Sequence, residues 1–198
     1  LHLCNKNMEN METTKIKDKN VLLAEVCMAA KYEGGLIKTH YTEHEQTNPD
    51  TKSQLCTVLA RSFADIGDIV RGKDLYLGYD DEEKEKRKQL DENLKTIFTQ
   101  IYKDVTKGGK NGKAKERYKD TDNYYELRED WWDANRHTVW EAITCDDDDN
   151  KLANAQYFRG TCGDEENKST RAIHKCRCTK PNADQVPTYF DYVPQFLR

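Results

Sequence analysis

Between residues 55 and 70, Leu55, Val58, Leu59, Phe63, Ile66, Ile69 and Val70 recur at steps of three and four, the spacing that puts side chains on one face of an α-helix. No other feature constrains the fold as much, because the same period returns in three further stretches while strand alternation is weak throughout. In residues 20–32 (NVLLAEVCMAAKY) it is carried by Leu22, Leu23, Val26, Ala29 and Ala30, with Asn20 as the expected N-cap and Gly34-Gly35 as the expected stop. In residues 81–105 it is carried by Leu90, Leu94, Ile97, Phe98, Ile101 and Val105, behind Glu82 and Glu83, which the helix macrodipole favours at an N-terminus. Residues 123–144 place Trp132, Val139, Trp140 and Ile143 on one face, with Trp131 beside them. Adjacent helical residues do not share a face, so one of the two indoles must look elsewhere. The expected class is mainly α, a helical bundle.

Between the helices the sequence is polar and punctuated. Gly72 is the expected end of the second helix, and residues 73–79 (KDLYLGY) form an apolar connector expected to pack under the third. Asn48-Pro49-Asp50 reads as a turn. Residues 107–119 (KGGKNGKAKERYK) break the third helix with three glycines and carry six bases against one acid, the pattern of a flexible basic loop. Four consecutive acids at 146–149 read as a solvated loop. Residues 151–198 hold three prolines and three cysteines among dense turn residues, and are expected to be a crosslinked loop region leading into a further helix.

Composition shows what must supplement the core. Only 36% of the 198 residues are hydrophobic and 34% are charged, so the apolar area available to offset chain entropy is below average. The net charge of -4, eleven Tyr and three Trp argue for a folded chain with long polar loops rather than a disordered one. Cys4, Cys27, Cys56, Cys145, Cys162, Cys176 and Cys178 are scattered rather than set at metal-ligand spacing. They are all candidates for disulfides formed in an oxidising compartment, with the pairing left open and an odd one over. No secretory leader and no apolar run long enough to cross a bilayer is visible. The chain starts without Met and its closing apolar run stops at Arg198, so it is read as a fragment.

Signals for catalysis or metal binding are weak. His174-Lys175-Cys176-Arg177-Cys178 holds zinc-type ligands, but C-x-C is tighter than the usual spacing and no second pair matches it. The acids at 146–149 lack the glycine and terminal glutamate of a calcium loop. Residues 108–113 suggest a phosphate loop, but Lys107 stands where its first glycine should be and Ala114 where Ser or Thr should be. His137 has no partnered nucleophile in the pattern. Asn167-Lys168-Ser169 fits the glycosylation triplet, which points only to exposure. The one binding candidate is the basic run Lys107, Lys110, Lys113, Lys115, Arg117 and Lys119. It could attract a polyanion such as a sulfated glycosaminoglycan; the competing reading is a solubilising loop.

Residues 59–78 (LARSFADIGDIVRGKDLYLG), 127–132 (LREDWW), 139–145 (VWEAITC) and 187–198 (PTYFDYVPQFLR), in that order, resemble the Duffy-binding-like adhesion domains, alpha type, of the erythrocyte membrane protein 1 antigens of Plasmodium falciparum. The likeness spans nearly the whole chain and is strongest from residue 59 onward. It implies a disulfide-crosslinked helical bundle in which residues 1–53 end a first subdomain and 54 to about 180 form a helical second. A third subdomain would begin near or beyond residue 198, and the stretches 79–88, 106–123 and 146–175 would be variable loops. It also implies display on the infected erythrocyte through a membrane segment outside this chain, and binding to a host-cell receptor, with sulfated glycans, blood-group glycans or complement receptors as the partner classes. No enzyme activity, cofactor or nucleic-acid partner is implied. The runner-up role is a scaffold segment of a large ectodomain whose receptor site lies elsewhere.

Overall fold

The apolar stripes become packed helices in the computed structural model, which describes residues 6–9, 11, 13, 16, 18–47, 55–76, 78–107, 112–145, 151–163 and 169–198. The described helices are α1 (Lys6–Glu9), α2 (Lys19–Thr47), α3 (Leu55–Arg71), α4 (Asp81–Thr106), α5 (Gly112–Arg117) and α6 (Tyr125–Ile143). They are followed by a two-stranded antiparallel ribbon, β1 (Gly160–Cys162) with β2 (Thr170–Arg171), and two 3-10 turns at Phe190–Tyr192 and Gln195–Leu197. The mainly helical class follows from the sequence as expected.

α3 is the centre of the core. Its stripe buries Leu55, Leu59, Phe63, Ile66, Ile69 and Val70, and Val58 packs at the edge. Gly72 ends it with φ +73, and the Lys73 N–H turns back to the Asp68 carbonyl (2.8 Å), a left-handed close that glycine adopts without a Cβ penalty. α6 lies across α3 and puts its two indoles on opposite sides. Trp132 and Trp140 flank Phe63, with ring centroids 5.1 and 5.2 Å away, while Trp131 meets Phe98 of α4 edge-on at 6.2 Å. Both tryptophans are buried because α6 is covered on two faces. Arg128 of α6 is fully buried and donates to the Val70 carbonyl (2.6 Å), the Ile69 carbonyl (3.2 Å) and Asp91 of α4 (3.1 Å). It thereby satisfies carbonyls that the end of α3 leaves without intrahelical donors.

α2 corrects the sequence reading at both ends. Its first-turn amides at Asn20 and Val21 donate to the Asp18 carboxylate (2.7 and 3.1 Å), so Asp18 and not Asn20 acts as the cap. The helix then runs through Gly34-Gly35 to Thr47. A Cβ on Gly34 would collide with the Ile143 carbonyl oxygen: the glycine permits backbone contact between α2 and α6 and stops nothing. Gly34→Ala is expected to lose about 1–3 kcal/mol in urea unfolding, because overpacking there outweighs the better helix propensity of alanine. Gly35, whose Cβ would meet nothing within 4 Å, is the control, and Gly35→Ala should be neutral or stabilising by up to about 1 kcal/mol.

α4 begins as its sequence requires, with Asp80 accepting from the Glu83 amide (2.8 Å) and acids at 81–83. Residues 81–88 are therefore helical and not a loop. The connector before it does not lie beneath α4 as expected. Leu75 and Tyr79 are 60% and 83% exposed, and Tyr76 reaches α4 through its hydroxyl to Glu83 (3.1 Å) and its ring under Arg87. Leu77 lies outside the described residues, as do the expected turn at 48–50 and the acids at 146–149.

The chain from 151 onward is stapled and not simply a loop region. Cys56 of α3 is joined to Cys176 and Cys162 of β1 to Cys178, so the zinc-like Cys176 and Cys178 are both consumed in crosslinks. Cys27 and Cys145 are thiols, correcting the expectation that they are crosslinked, and Cys4 lies outside the described residues. Burial first, then the nearby Glu141 charge, pushes the Cys27 thiol up to about 11, which keeps it protonated and unreactive at neutral pH. The segment 188–198 is strapped over α3 and α6 by charge. Asp191 accepts from Trp132 Nε1 (2.9 Å) and from Arg136 Nε and Nη2 (2.8 Å each), its carbonyl accepts from Arg71, and Arg198 pairs with Asp65 and Asp68.

Candidate functional site

The expected flexible basic loop is in part a helix. Gly112 opens α5, and the run KAKER that follows consists of strong helix formers. Lys113, Lys115 and Arg117 lie on this helix and are exposed, as are Lys119 beyond it and Lys107, the C-cap residue of α4. Lys110 lies outside the described residues. The structure thus sets four of the six candidate cations on one short element and its exit.

Arg117 is not presented like the lysines. Its Nε and Nη2 donate to the two oxygens of Asp130 on α6, each at 2.6 Å, the fork geometry in which guanidinium and carboxylate pair best. The Tyr118 hydroxyl donates to the same carboxylate (2.9 Å), and its ring is partly buried against the core. The hydrogen bond from Arg117 holds the Asp130 carboxyl below the usual carboxylate range against the opposing effect of burial. A depressed carboxylate keeps its charge at neutral pH, so the clamp is lost only as pH falls through that lowered value. Next along the chain, Asp120 accepts the amides of Asp122 (3.1 Å), Asn123 (3.0 Å) and Tyr125 (3.2 Å) and so opens α6. These backbone bonds, that of Asn123 foremost, lower its pKa. The basic segment is therefore fixed on its C-terminal side.

Sequence reasoning missed α5 and the clamp for different reasons. Helix propensity in KAKER could have revealed the first behind the glycines. The Arg117–Asp130 pair spans a turn and a change of element, and no period links its members. His137 is exposed, and Asn167 of the glycosylation triplet lies outside the described residues.

Two clefts flank the connector between α3 and α4. One, of about 400 Å³, is floored by Ile69, Leu90 and Leu94 and rimmed by Asp74, Arg87 and Lys88. There Arg87 pairs with Asp74 (2.7 Å) and stacks on Tyr76, with its guanidinium 4.9 Å from the ring centroid. The other, of about 420 Å³, lies along the strap between Leu75, Tyr192, Pro194 and Phe196. Neither sets a nucleophile against a base. Among the described residues no cluster of His, Cys, Asp and Glu could hold a metal ion, and no helix is long and apolar enough to cross a membrane.

The family model for the Duffy binding domain matches residues 1–198. No curated protein sequence matches the chain. Among solved structures, it is similar to the NTS-DBL1(alpha-1) domain of the Plasmodium falciparum membrane protein 1 (PfEMP1) from the varO strain. That match has 37% identity and a TM-score of 0.72, covering 99% of this chain and 40% of that one. It is also similar to the NTS-DBL1-alpha and CIDR-gamma double domain of the same strain's protein (37% identity, TM-score 0.73, 99% of this chain and 25% of that one). An ICAM-1-binding DBLbeta domain of PfEMP1 matches at 30% identity with a TM-score of 0.68, over 100% of this chain and 39% of that one. The chain thus spans well under half the length of each.

Proposed function

Because the chain belongs to the Duffy binding domain family, adhesion domains without enzymatic activity, typified by the malaria adhesin PfEMP1, we propose that it is an extracellular adhesion module of a variant parasite surface antigen. In this reading it is displayed on the infected erythrocyte through a membrane segment outside these residues and binds a host-cell receptor or glycan. Its part in cytoadherence, rosetting and antigenic variation follows from that role. A DBLbeta relative binds ICAM-1, which supports a host surface protein as one partner class. Sulfated glycosaminoglycans, blood-group glycans and complement receptors are the others. We keep the division in which residues 1–53 end one subdomain and 54–198 form a helical second one that runs into the start of a third.

The observation that carries the glycan part is the fixed basic segment, which holds Lys113, Lys115 and Lys119 exposed within seven positions. A polyanion gains from such a cluster by releasing its own counterions, and the gain is lost in salt. Replacing Lys107, Lys110, Lys113, Lys115, Arg117 and Lys119 together by alanine is expected to weaken heparin binding on the order of tenfold or more at physiological ionic strength and to flatten its salt dependence. Unchanged affinity and slope would remove these residues from the site.

A second reading is favoured by the exposed Tyr192, Phe196 and Leu197 on the strap and the exposed Leu75 beside it. Exposed apolar surface of this kind is usually covered, and the segment would then support neighbouring polypeptide with the receptor site elsewhere. Receptor binding by a chain extended on both sides, with none by these 198 residues, would select it.

A further inference from the structure

We infer that Asp130 is the positioning residue that holds the basic helix α5 in the orientation in which it meets an anionic glycan, an inference that rests on the reading of residues 107–119 as the glycan-facing surface.

α5 has six residues and buries none of them. A helix so short does not persist in water by itself, because nucleation fixes several dihedrals for one hydrogen bond. Something outside it must hold it, and Asp130 supplies that hold. Both of its oxygens are engaged, by Arg117 from the end of α5 and by Tyr118 just beyond it. Asp130 itself stands on a rigid base, since its neighbours Trp131 and Trp132 are 5% and 0% exposed and are packed against α4 and α3. The carboxylate thus ties a marginal basic helix to α6, which is packed against both α3 and α4. The tie has a chemical consequence. The Arg117 charge is paired at the surface by Asp130, and Lys113, Lys115 and Lys119 are left as the cations open to a ligand.

An acid in the middle of a cationic surface makes opposite predictions according to its role. If Asp130 acted only through its charge, removing it would strengthen the attraction of every polyanion. If it positions α5, removing it leaves the helix to be ordered at the moment of binding, and affinity falls by that ordering cost. Glu116 on α5 supplies the comparison, because Glu116→Gln removes the same charge from the exposed side of the segment without touching the clamp.

The test uses the full 198-residue chain and a heparin oligosaccharide of defined length. Asp130→Asn is expected to weaken binding by about three- to tenfold, Glu116→Gln to leave it equal or tighter, and Asp130→Glu to restore most of the loss. A second readout needs no glycan: trypsin should cut after Lys113 and Lys115 about threefold or more faster in Asp130→Asn than in the unaltered chain, since local opening controls such cleavage. Binding by Asp130→Asn that tightens as in Glu116→Gln, or cleavage rates that do not change, overturns the inference while the glycan reading stands. Absence of heparin binding by the unaltered chain removes the glycan reading and, with it, this role.

Discussion

Replacing both Cys56 and Cys176 by alanine is expected to cost about 4–5 kcal/mol, because a crosslink between residues 120 apart removes that much loop-closure freedom from the unfolded chain. For a domain of this size the loss corresponds to a fall in Tm of about 10–15 °C. The Cys162–Cys178 bridge closes a separation of only 16, and its removal should cost about 3 kcal/mol by the same logarithmic law. The larger effect has a structural side as well: the long bridge ties the ribbon region to α3, and Cys176 lies fully buried where its carbonyl accepts from Trp140 Nε1 (3.0 Å). Thermal unfolding of the two double variants under non-reducing conditions measures both. A long-bridge variant within about 2 kcal/mol of the parent would show that packing, and not the crosslink, holds this region.

The second large effect is expected at Asp191. Its carboxylate is buried and accepts three hydrogen bonds, one from Trp132 and two from Arg136. Side-chain exposure is 13% for Arg136 and 0% for Asp191. An ion pair at such a site is near break-even against its desolvation, but deleting one partner leaves the other buried without compensation. Asp191→Ala should therefore cost about 3–5 kcal/mol, whereas Asp191→Asn, which keeps the shape and an acceptor for Trp132, should cost about 1–3 kcal/mol. The tryptophan emission should shift to the red in Asp191→Ala as the strap loosens over Trp132. A destabilisation of less than about 1 kcal/mol in Asp191→Ala would mean that the Arg71 and Arg198 contacts hold the strap without it.

Much of the fold was legible because helical packing leaves a local record. The residues read as the inner faces of α3 and α4 are those the structure buries, apart from the half-buried Val58 and Val105. Gly72 ended its helix as expected because a left-handed terminal residue is a local requirement. Gly34 did not, because its role is set by Ile143, more than a hundred positions away. Asp18 was overlooked as a cap because Asn20, an equally good capping residue, lay nearer the apolar stripe. Of the candidate binding run, the number and sign of the charges could be read directly. That Arg117 pairs with Asp130 could not, since nothing local distinguishes one base of a basic run from its neighbours.

The sequence by itself determined the helical class, which side of each long helix faces inward, and that sulfur crosslinks must supplement a small apolar core. These are matters of period and composition, and every residue carries its share of them independently of the rest. Tertiary structure alone decided which cysteines join, that Gly34 is a point of contact, that one carboxylate held by a tryptophan and an arginine fastens the strap, and that part of the basic run is a tethered helix. Each depends on which of many chemically equivalent partners comes within about 3 Å, and that distance exists only after chain segments far apart in sequence have packed.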